Sequence, residues 1–214
     1  MKFIGASEYL EEILARIDAP RLDELHITFF NQIIFDTPQL FEFISRRPTL
    51  RAPEKGYIAF SSEAITVEFP SQTSKYGVLS VQIPCAASEW QVSSVEQICT
   101  SSLPPVYTLE NLYISENGQY SQHRQDNVEN TLWLELLHPF AAVKNFYLSK
   151  EFVPSIAPAL QELVGERTTD VLPTLKNIFL KGFVPTEPLH ESIEKFVAAR
   201  QLTSHPVEVS CWVR

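Results

Sequence analysis

The sequence contains few of the residues from which common active sites are built. Its 214 residues include six glycines, three cysteines and one methionine. No two glycines are close enough for a GxGxxG or P-loop phosphate site, and HExxH, GxSxG and CxxC motifs are absent. The widely spaced Cys85, Cys99 and Cys211 match neither a disulfide framework nor a zinc site. We therefore expect reduced thiols, no cofactor, no metal site and a cytoplasmic and/or nuclear protein.

Basic residues and long apolar runs are also scarce. The chain has 17 Lys and Arg against 26 Asp and Glu, which gives a net charge of −9. Nucleic-acid binding needs a clustered Lys/Arg surface, so this balance argues against it. No run approaches the ~20 apolar residues of a membrane-spanning helix, and the first residues turn acidic at Glu8, unlike a signal peptide. Apolar residues still make up 44% of the chain, which is enough for a packed core.

One strand pattern recurs along the chain. Four segments have apolar residues at the same three positions: residues 22–27 (LDELHI), 109–114 (LENLYI), 143–148 (VKNFYL) and 175–180 (LKNIFL). Segments around Ile58, Val81 and Val209 carry the alternating end of the pattern. Apart from one interval of 23 residues, successive segments are 31 to 34 residues apart. Alternation with a period of two indicates strands with one buried face, and the spacing leaves room for a helix between them.

The intervals between the strands carry helix-start signals. A polar cap before an apolar face, a proline in the first turn and the capping box are typical of helix N-termini. The predicted starts and helices are Ser7 before residues 8–18, Thr37 before Pro38, capping boxes at 93–96 and 126–129, and helices over 157–166 and 189–199. The short interval instead contains a second alternating segment and a polar stretch, which predict a β-hairpin insertion at about residues 61–78.

Repeated strand–helix units predict the fold class. A strand that returns through a helix to a parallel strand does so right-handedly almost always. We therefore predict an α/β fold: a right-handed solenoid of about seven parallel strands, with the sheet on the concave face and one hairpin insertion. No linker divides the chain, so we expect a single domain over residues 1–214. The extended Phe3 and Ile4 begin the chain inside a repeat, and we expect it to be part of a longer protein.

Several phrases of the sequence are more specific than the repeat itself. They are residues 16–25 (RIDAPRLDEL), 27–31 (ITFFN), 133–140 (WLELLHPF), 143–148 (VKNFYL), 156–163 (IAPALQEL) and 171–177 (VLPTLKN). With them the chain resembles leucine-rich-repeat proteins of the long, helical subtype, and in particular the C-terminal repeat region of fungal F-box proteins. This resemblance implies a substrate-recruiting subunit of a cullin–RING ubiquitin ligase, in which the F-box binds the adaptor and the repeats bind the target. No F-box-like segment is present, so the adaptor is expected as a partner only if an F-box lies upstream.

The residues between the apolar strand positions are the candidates for binding. They point away from the core and are expected on the concave face. Tyr113, Tyr147 and Phe179 occupy the same position in three successive strands, which predicts neighbouring rings about 4.8 Å apart. The same reasoning places further residues on this face: His26, Thr28, Ser80, Gln82, Ser115, Ser149, Lys181 and Glu208. Aromatic side chains are enriched in interface cores, but a row of rings can also serve only to stabilise a sheet.

The leading functional hypothesis is non-catalytic recognition of a protein target whose identity is unknown. One alternative is a stand-alone interaction scaffold without a ligase link, and another is an enzyme whose site is assembled from residues far apart in the sequence. The histidines do not decide between these hypotheses. His123 and Asp126 lie in a polar stretch typical of a solvated loop, and His190 and Glu194 have the spacing of a surface helical pair.

Overall fold

The structure is a computed structural model that describes residues 1–20, 22–30, 35–47, 50, 53–70, 78–101, 103, 106–117, 128–163, 167, 169–183 and 189–212. The strands are β1 Lys2–Gly5, β2 Glu24–Phe29, β3 Lys55–Phe60, β4 Ala64–Pro70, β5 Val78–Pro84, β6 Asn111–Glu116, β7 Asn145–Ser149, β8 Asn177–Lys181 and β9 Glu208–Trp212. The α-helices are α1 Ser7–Leu14, α2 Pro38–Ser45, α3 Ser88–Ser101, α4 Asn130–Leu137, α5 Val153–Gln161 and α6 Glu191–Gln201.

The nine strands form one open, mostly parallel sheet in the order β1-β2-β5-β4-β3-β6-β7-β8-β9. Only β4 runs antiparallel to its neighbours. After β2 the chain passes through α2 to β3 and then doubles back through β4 and β5, so that β5 pairs with β2. Helix α3 then carries the chain from β5 to β6, on the far side of β3. Nine strands and six helices thus form a mixed α/β structure within the described residues.

The strands bury one face and leave the other partly open. Alternate apolar residues of each strand are buried, as with Leu112 and Ile114 of β6 or Phe146 and Leu148 of β7, each at most 1% exposed. These residues belong to one hydrophobic cluster with the buried residues of the helices. Helix α1 packs on α2, and α3, α4, α5 and α6 pack side by side in sequence order. The opposite face carries half-buried and polar side chains, and we call it the exposed face.

The central strands differ from the predicted series of parallel strands. The antiparallel pairing of β4 with β5 agrees with the predicted hairpin, whose residues 71–77 lie outside the described residues. However, β3 is antiparallel to β4 as well, so the insertion is a three-stranded meander that runs backwards across the sheet. Eight strands are parallel, one more than the predicted seven because β1 adds to them, and β2 neighbours β5 where serial order predicts β3. The spacing of strands along the chain gives the length of each connection. It does not show where in the sheet the following strand pairs.

Three helix starts differ from the prediction: Ser7, predicted as a cap, is the first residue of α1 with Ala6 at the N-cap, and α3 and α5 begin several residues upstream of their predicted starts. Helix α3 begins at Ser88, ahead of the capping box at 93–96, because Val92 and Val95 extend its buried face upstream. Helix α5 begins at Val153, and Pro158 lies inside it. Pro154 already occupies the first turn, where a proline is tolerated because its missing N–H has no helical partner there. The capping box at 126–129 lies partly outside the described residues, and α4 begins just after it at Asn130.

The first turn of α2 is capped from another helix. Thr37 occupies the N-cap position and Pro38 the first turn, as predicted, but the Thr37 side chain makes no capping hydrogen bond. The Glu11 carboxylate of α1 accepts from the backbone N–H groups of Gln39 (2.7 Å) and Leu40 (2.9 Å) instead. A carboxylate is favoured at this position because it satisfies otherwise unpaired N–H groups at the positive end of the helix dipole.

Among the described residues, none of the six helices combines the length and the apolar content that crossing a bilayer requires.

Candidate functional site

The predicted row of rings is present on the exposed face. Tyr113 is in register with Tyr147, and Tyr147 is in register with Phe179. Their ring centroids are 4.1 Å and 4.6 Å apart, and the ring planes are inclined by only 8° and 13°. Tyr57 of β3 extends the row, because its ring stacks on Tyr113 at 4.5 Å and 16°. We call Tyr57, Tyr113, Tyr147 and Phe179 the aromatic stripe.

The stacking determines which part of each ring a ligand can reach. The faces of Tyr113 and Tyr147 are covered on both sides by neighbouring rings. Side chains of a sheet stand roughly perpendicular to it, so the ring edges and the tyrosine hydroxyls point outwards. Ring edges carry the positive part of the aromatic quadrupole, and hydroxyls both donate and accept hydrogen bonds. The stripe therefore offers edges and hydroxyls, and its central rings have no free π-face.

Trp212 of β9 packs against the edge of the stripe. Its ring centroid lies 5.2 Å from that of Tyr147 and 5.7 Å from that of Tyr113, at interplanar angles of 69° and 62°. The Lys181 ammonium lies 5.7 Å from the centroid of the Trp212 ring, within the range of a cation–π contact. Trp212 belongs to the edge strand β9, and this packing explains how a large apolar residue is accommodated there.

A depression of about 420 Å³ follows the stripe. Besides the four rings of the stripe it is lined by Lys55, Cys211 and Trp212. Lys55 precedes Tyr57 by two residues on β3, and Lys181 follows Phe179 by two residues on β8. Two lysines therefore lie at opposite ends of the stripe. Among the described residues that line the depression there is no carboxylate.

A row of asparagines runs alongside the stripe on the same face. Asn111, Asn145 and Asn177 each lie two residues before a ring of the stripe and are in register with one another. The Asn177 Nδ2 donates to Asn145 Oδ1 at 2.8 Å, and the Asn145 Nδ2 donates to Asn111 Oδ1 at 2.9 Å. The Asn111 Nδ2 donates to the backbone carbonyl of Glu54 at 3.3 Å. We call these three residues the asparagine ladder; it ties together the strands that carry the stripe.

His26, Thr28 and Gln82 lie on the exposed face but away from the stripe. They belong to β2 and β5, and strands β4 and β3 separate them from β6. Thr28 is in register with Gln82, and its Oγ1 donates to Gln82 Oε1 at 3.5 Å. The residues predicted to line one face are thus divided into a polar group and the aromatic stripe. The meander causes this division, because it inserts two strands between β5 and β6.

The polar group places a serine between a histidine and a carboxylate. Ser80 is in register with His26 on one side and with Glu68 on the other, and Ser80 Oγ donates to Glu68 Oε1 at 3.3 Å. In a Ser–His–acid triad the histidine lies between the other two groups and takes the proton of the serine. Here the serine hydroxyl donates directly to the carboxylate. The order of the groups therefore differs from that of an activated nucleophile.

Within the described residues, neither the remaining histidine candidates nor any group of metal-ligating side chains forms a further site. The His190 Nδ1 accepts from the backbone N–H of Ser192 at 3.3 Å, so His190 caps α6, a role that differs from the predicted surface pair with Glu194. His123 and Asp126 lie outside the described residues. Within the described part of the chain, no three His, Cys, Asp or Glu side chains are grouped so that they could hold a metal ion.

Sequence reasoning missed Tyr57, Trp212 and the asparagine ladder. The ladder had a signal, because an asparagine occupies the same position in three of the repeated segments. Tyr57 belongs to an alternating segment, but the sequence does not indicate that β3 pairs with β6. Glu208 of β9 was predicted on the same face as the rings. Trp212 lies four residues further along the same strand, so the alternation places it on that face as well.

Comparisons with known proteins do not add a relative. No protein-family model matches the chain, and no curated protein or solved structure matches it. The resemblance to fungal F-box proteins therefore stays a prediction.

Proposed function

We propose that the chain is a non-catalytic protein-recognition region that binds its target through the exposed face of the sheet. The observation that carries this proposal is the aromatic stripe. Four large aromatic side chains form a continuous, half-buried row on the face that the helices do not cover. Aromatic residues are the anchors of many protein interfaces, because they bury a large area at a low cost in conformational entropy.

The proposed architecture is a leucine-rich-repeat-like solenoid. Support comes from the regular strand spacing and from the run of parallel strands β6 to β9, each reached through a helix. In such an array every unit contacts mainly its neighbours, and the strands line a continuous binding face. The meander of β3, β4 and β5 is a departure from this plan.

The proposed cellular role is target binding in an F-box-type ubiquitin ligase receptor, in the cytoplasm and/or nucleus. This role rests on the resemblance of the repeat phrases and needs an F-box encoded upstream of Met1 in the same reading frame. Sequencing of full-length transcripts tests it. An in-frame F-box, together with co-purification of the adaptor and cullin with the longer product, is the expected result. Transcripts that start at Met1, with no adaptor recovered, would favour a stand-alone scaffold.

The recognition surface itself is tested with paired double variants. Tyr113→Ala with Tyr147→Ala removes the centre of the stripe, and Tyr9→Ala with Trp90→Ala removes two exposed aromatic residues of α1 and α3 as the matched control. Each protein is fused to a promiscuous biotin ligase, and the labelled neighbours in cells are compared. We expect the stripe variant to stay folded by circular dichroism and to lose a set of neighbours that the control retains.

Two results would contradict this proposal. An unchanged set of labelled neighbours would show that the stripe does not recognise a partner. Complete unfolding of the stripe variant would show that the rings act as a stabilising ladder of the sheet.

A further inference from the structure

We propose that the depression along the aromatic stripe accepts an extended, acidic peptide segment of the partner. This inference rests on the proposed protein-recognition function and specifies the chemistry of its ligand. Three features of the described residues support it: the orientation of the rings, the positions of Lys55 and Lys181, and the absence of carboxylates from the lining of the depression.

The orientation of the rings selects a ligand rich in hydrogen-bond acceptors. The inner rings stack at 4.1 to 4.6 Å and cover each other's faces, so a sugar, a base or a methylammonium group cannot stack on them. The outward edges are the electropositive parts of the rings; Trp212 packs against those of Tyr113 and Tyr147, while the hydroxyls of Tyr57 and Tyr147 can donate to a ligand. Carbonyl and carboxylate oxygens are the groups that match such a surface.

The two lysines supply the complementary charge. Lys55 lines the depression, and Lys181 lies over the ring of Trp212 at the other end. Neither ammonium forms a salt bridge within the part of the chain that the structure describes. The lining of the depression thus contains one ammonium and no carboxylate, whereas the chain as a whole has a net charge of −9 and would repel acidic ligands elsewhere.

The register of the sheet fixes the spacing of the acidic residues. Lys55 is in register with Asn111 and therefore, through Asn145, with Asn177, while Lys181 lies four residues beyond Asn177 on β8. Three strand spacings and four residues along a strand separate the two lysines by about 20 Å, which an extended peptide spans with about six residues. We therefore expect two acidic residues about four to seven positions apart, a range that allows for the reach of the lysine side chains.

Two nearby carboxylates limit the acidity of the segment. Glu68 is in register with Tyr57, where it accepts from Ser80, and Glu208 is in register with Asn177. Both lie beside the depression but do not line it. A uniformly acidic peptide would be repelled by these two carboxylates, so we expect uncharged residues between the two acidic positions.

Peptide selection on the intact chain tests the proposal. Random peptides about 12 residues long, twice the expected span, are displayed and selected on the immobilised wild type. Enriched peptides are then synthesised, and their affinities are measured by fluorescence anisotropy. The variant Lys55→Glu with Lys181→Glu reverses the charge of the lysine that lines the depression and of the lysine over Trp212. Arg16→Glu with Lys195→Glu makes the same change in net charge on α1 and α6 and is the matched control.

The expected result is enrichment of peptides with two acidic residues at the stated spacing. Their affinity should fall about tenfold or more in the Lys55→Glu/Lys181→Glu variant, stay within about twofold in the control and weaken with added salt. Neutral or basic peptides that need Tyr113 and Tyr147 would overturn this inference and leave the proposed recognition function standing. If no peptide binding depends on Tyr113 and Tyr147, both are overturned.

Discussion

The three cysteines, which the sequence predicts to be reduced thiols, lie in three different environments. Cys99 of α3 is buried in the core, Cys85 is half-buried after β5, and Cys211 of β9 is exposed. Burial raises the pKa of the Cys99 thiol strongly, and it also raises the pKa of Cys85, whose Sγ donates to the Ala87 carbonyl. The thiolate is the reactive form, so burial lowers the reactivity of a thiol in two ways: it limits access of the reagent, and it raises the pKa.

The reactivity of the thiols should follow this order. With an alkylating reagent at mildly alkaline pH, we expect Cys211 to react first, Cys85 more slowly, and Cys99 only after denaturation. Peptide mapping after timed alkylation measures the order. Modification of Cys99 at the same rate as Cys211 in the native protein would contradict the packing of α3.

The buried thiol also predicts a loss of stability at alkaline pH. The pKa of Cys99 is raised in the folded state, so the unfolded state loses its proton first, at about pH 8.5. The contribution of the protonated Cys99 thiol to the free energy of unfolding is therefore complete below that pH and is lost as the pH rises above it. Between about pH 7.5 and about pH 9.5, this one group should lower the free energy of unfolding by about 1 kcal/mol. Urea titrations should show a loss that is larger by about this amount in the wild type than in Cys99→Ala.

Asn145 holds the centre of the asparagine ladder, where it donates to Asn111 and accepts from Asn177. Asn145→Ala removes both hydrogen bonds and leaves two partly buried partners unsatisfied. We expect a loss of about 1–2 kcal/mol in the free energy of unfolding. Ser115→Ala, on the same face of β6, is the control and should change it by less than about 0.5 kcal/mol. Equal effects of the two substitutions in urea denaturation would show that the ladder contributes nothing.

At the scale of the helices, short elements depend on contacts from their neighbours. Helix α2 has only eight residues, too few to be stable alone, and its N-cap threonine makes no side-chain cap. The carboxylate of Glu11 on α1 supplies the cap through two backbone N–H groups. Glu11 and Glu12 are adjacent in the sequence, yet the carboxylate of Glu12 pairs with Arg16 on the exposed side of α1.

This contrast predicts different effects for two neighbouring glutamates. Glu11→Ala should lower the free energy of unfolding by about 1–2 kcal/mol, because it removes a charged cap. Glu12→Ala removes only an exposed i,i+4 pair and should cost less than about 0.5 kcal/mol. Thermal and urea denaturation of both variants provide the measurement. A larger loss for Glu12→Ala than for Glu11→Ala would contradict the described cap.

At the scale of the whole molecule, the sheet is open, and its two edge strands are less paired and less buried than its central strands. The edge strands β1 and β9 pair on one side only, and β9 has no fully buried residue. The central strands β3 to β7 pair on both sides and carry the buried rows of the core. Local opening is easiest where few apolar contacts hold the backbone, so stability should fall towards the edges.

Hydrogen exchange measured by mass spectrometry should report this gradient. We expect the slowest exchange in β3, β4, β5, β6 and β7, and the fastest strand exchange in β1 and β9. In Trp212→Ala, which loses the contact of β9 with the stripe, exchange in β9 should accelerate while that of β4 stays unchanged. Uniform protection across all nine strands would contradict an open sheet with weak edges.

The sequence by itself determined the local elements and part of the surface. Alternating apolar residues predicted the strands, and the identical position of Tyr113, Tyr147 and Phe179 in successive segments predicted their contact across the sheet. Such predictions succeed because the side-chain period of a strand and the pairing of sequential strands are local properties.

Only the tertiary structure decided the order of the strands and the contacts that depend on this order. The meander brings Tyr57 beside Tyr113, moves His26, Thr28 and Gln82 away from the stripe, and places Ser80 between His26 and Glu68. Likewise, the fold brings Glu11 to the start of α2 and Trp212 onto the stripe. These contacts join residues far apart in the chain, and the packing of the whole sheet selects them because the alternating pattern of one strand does not specify which strand lies beside it.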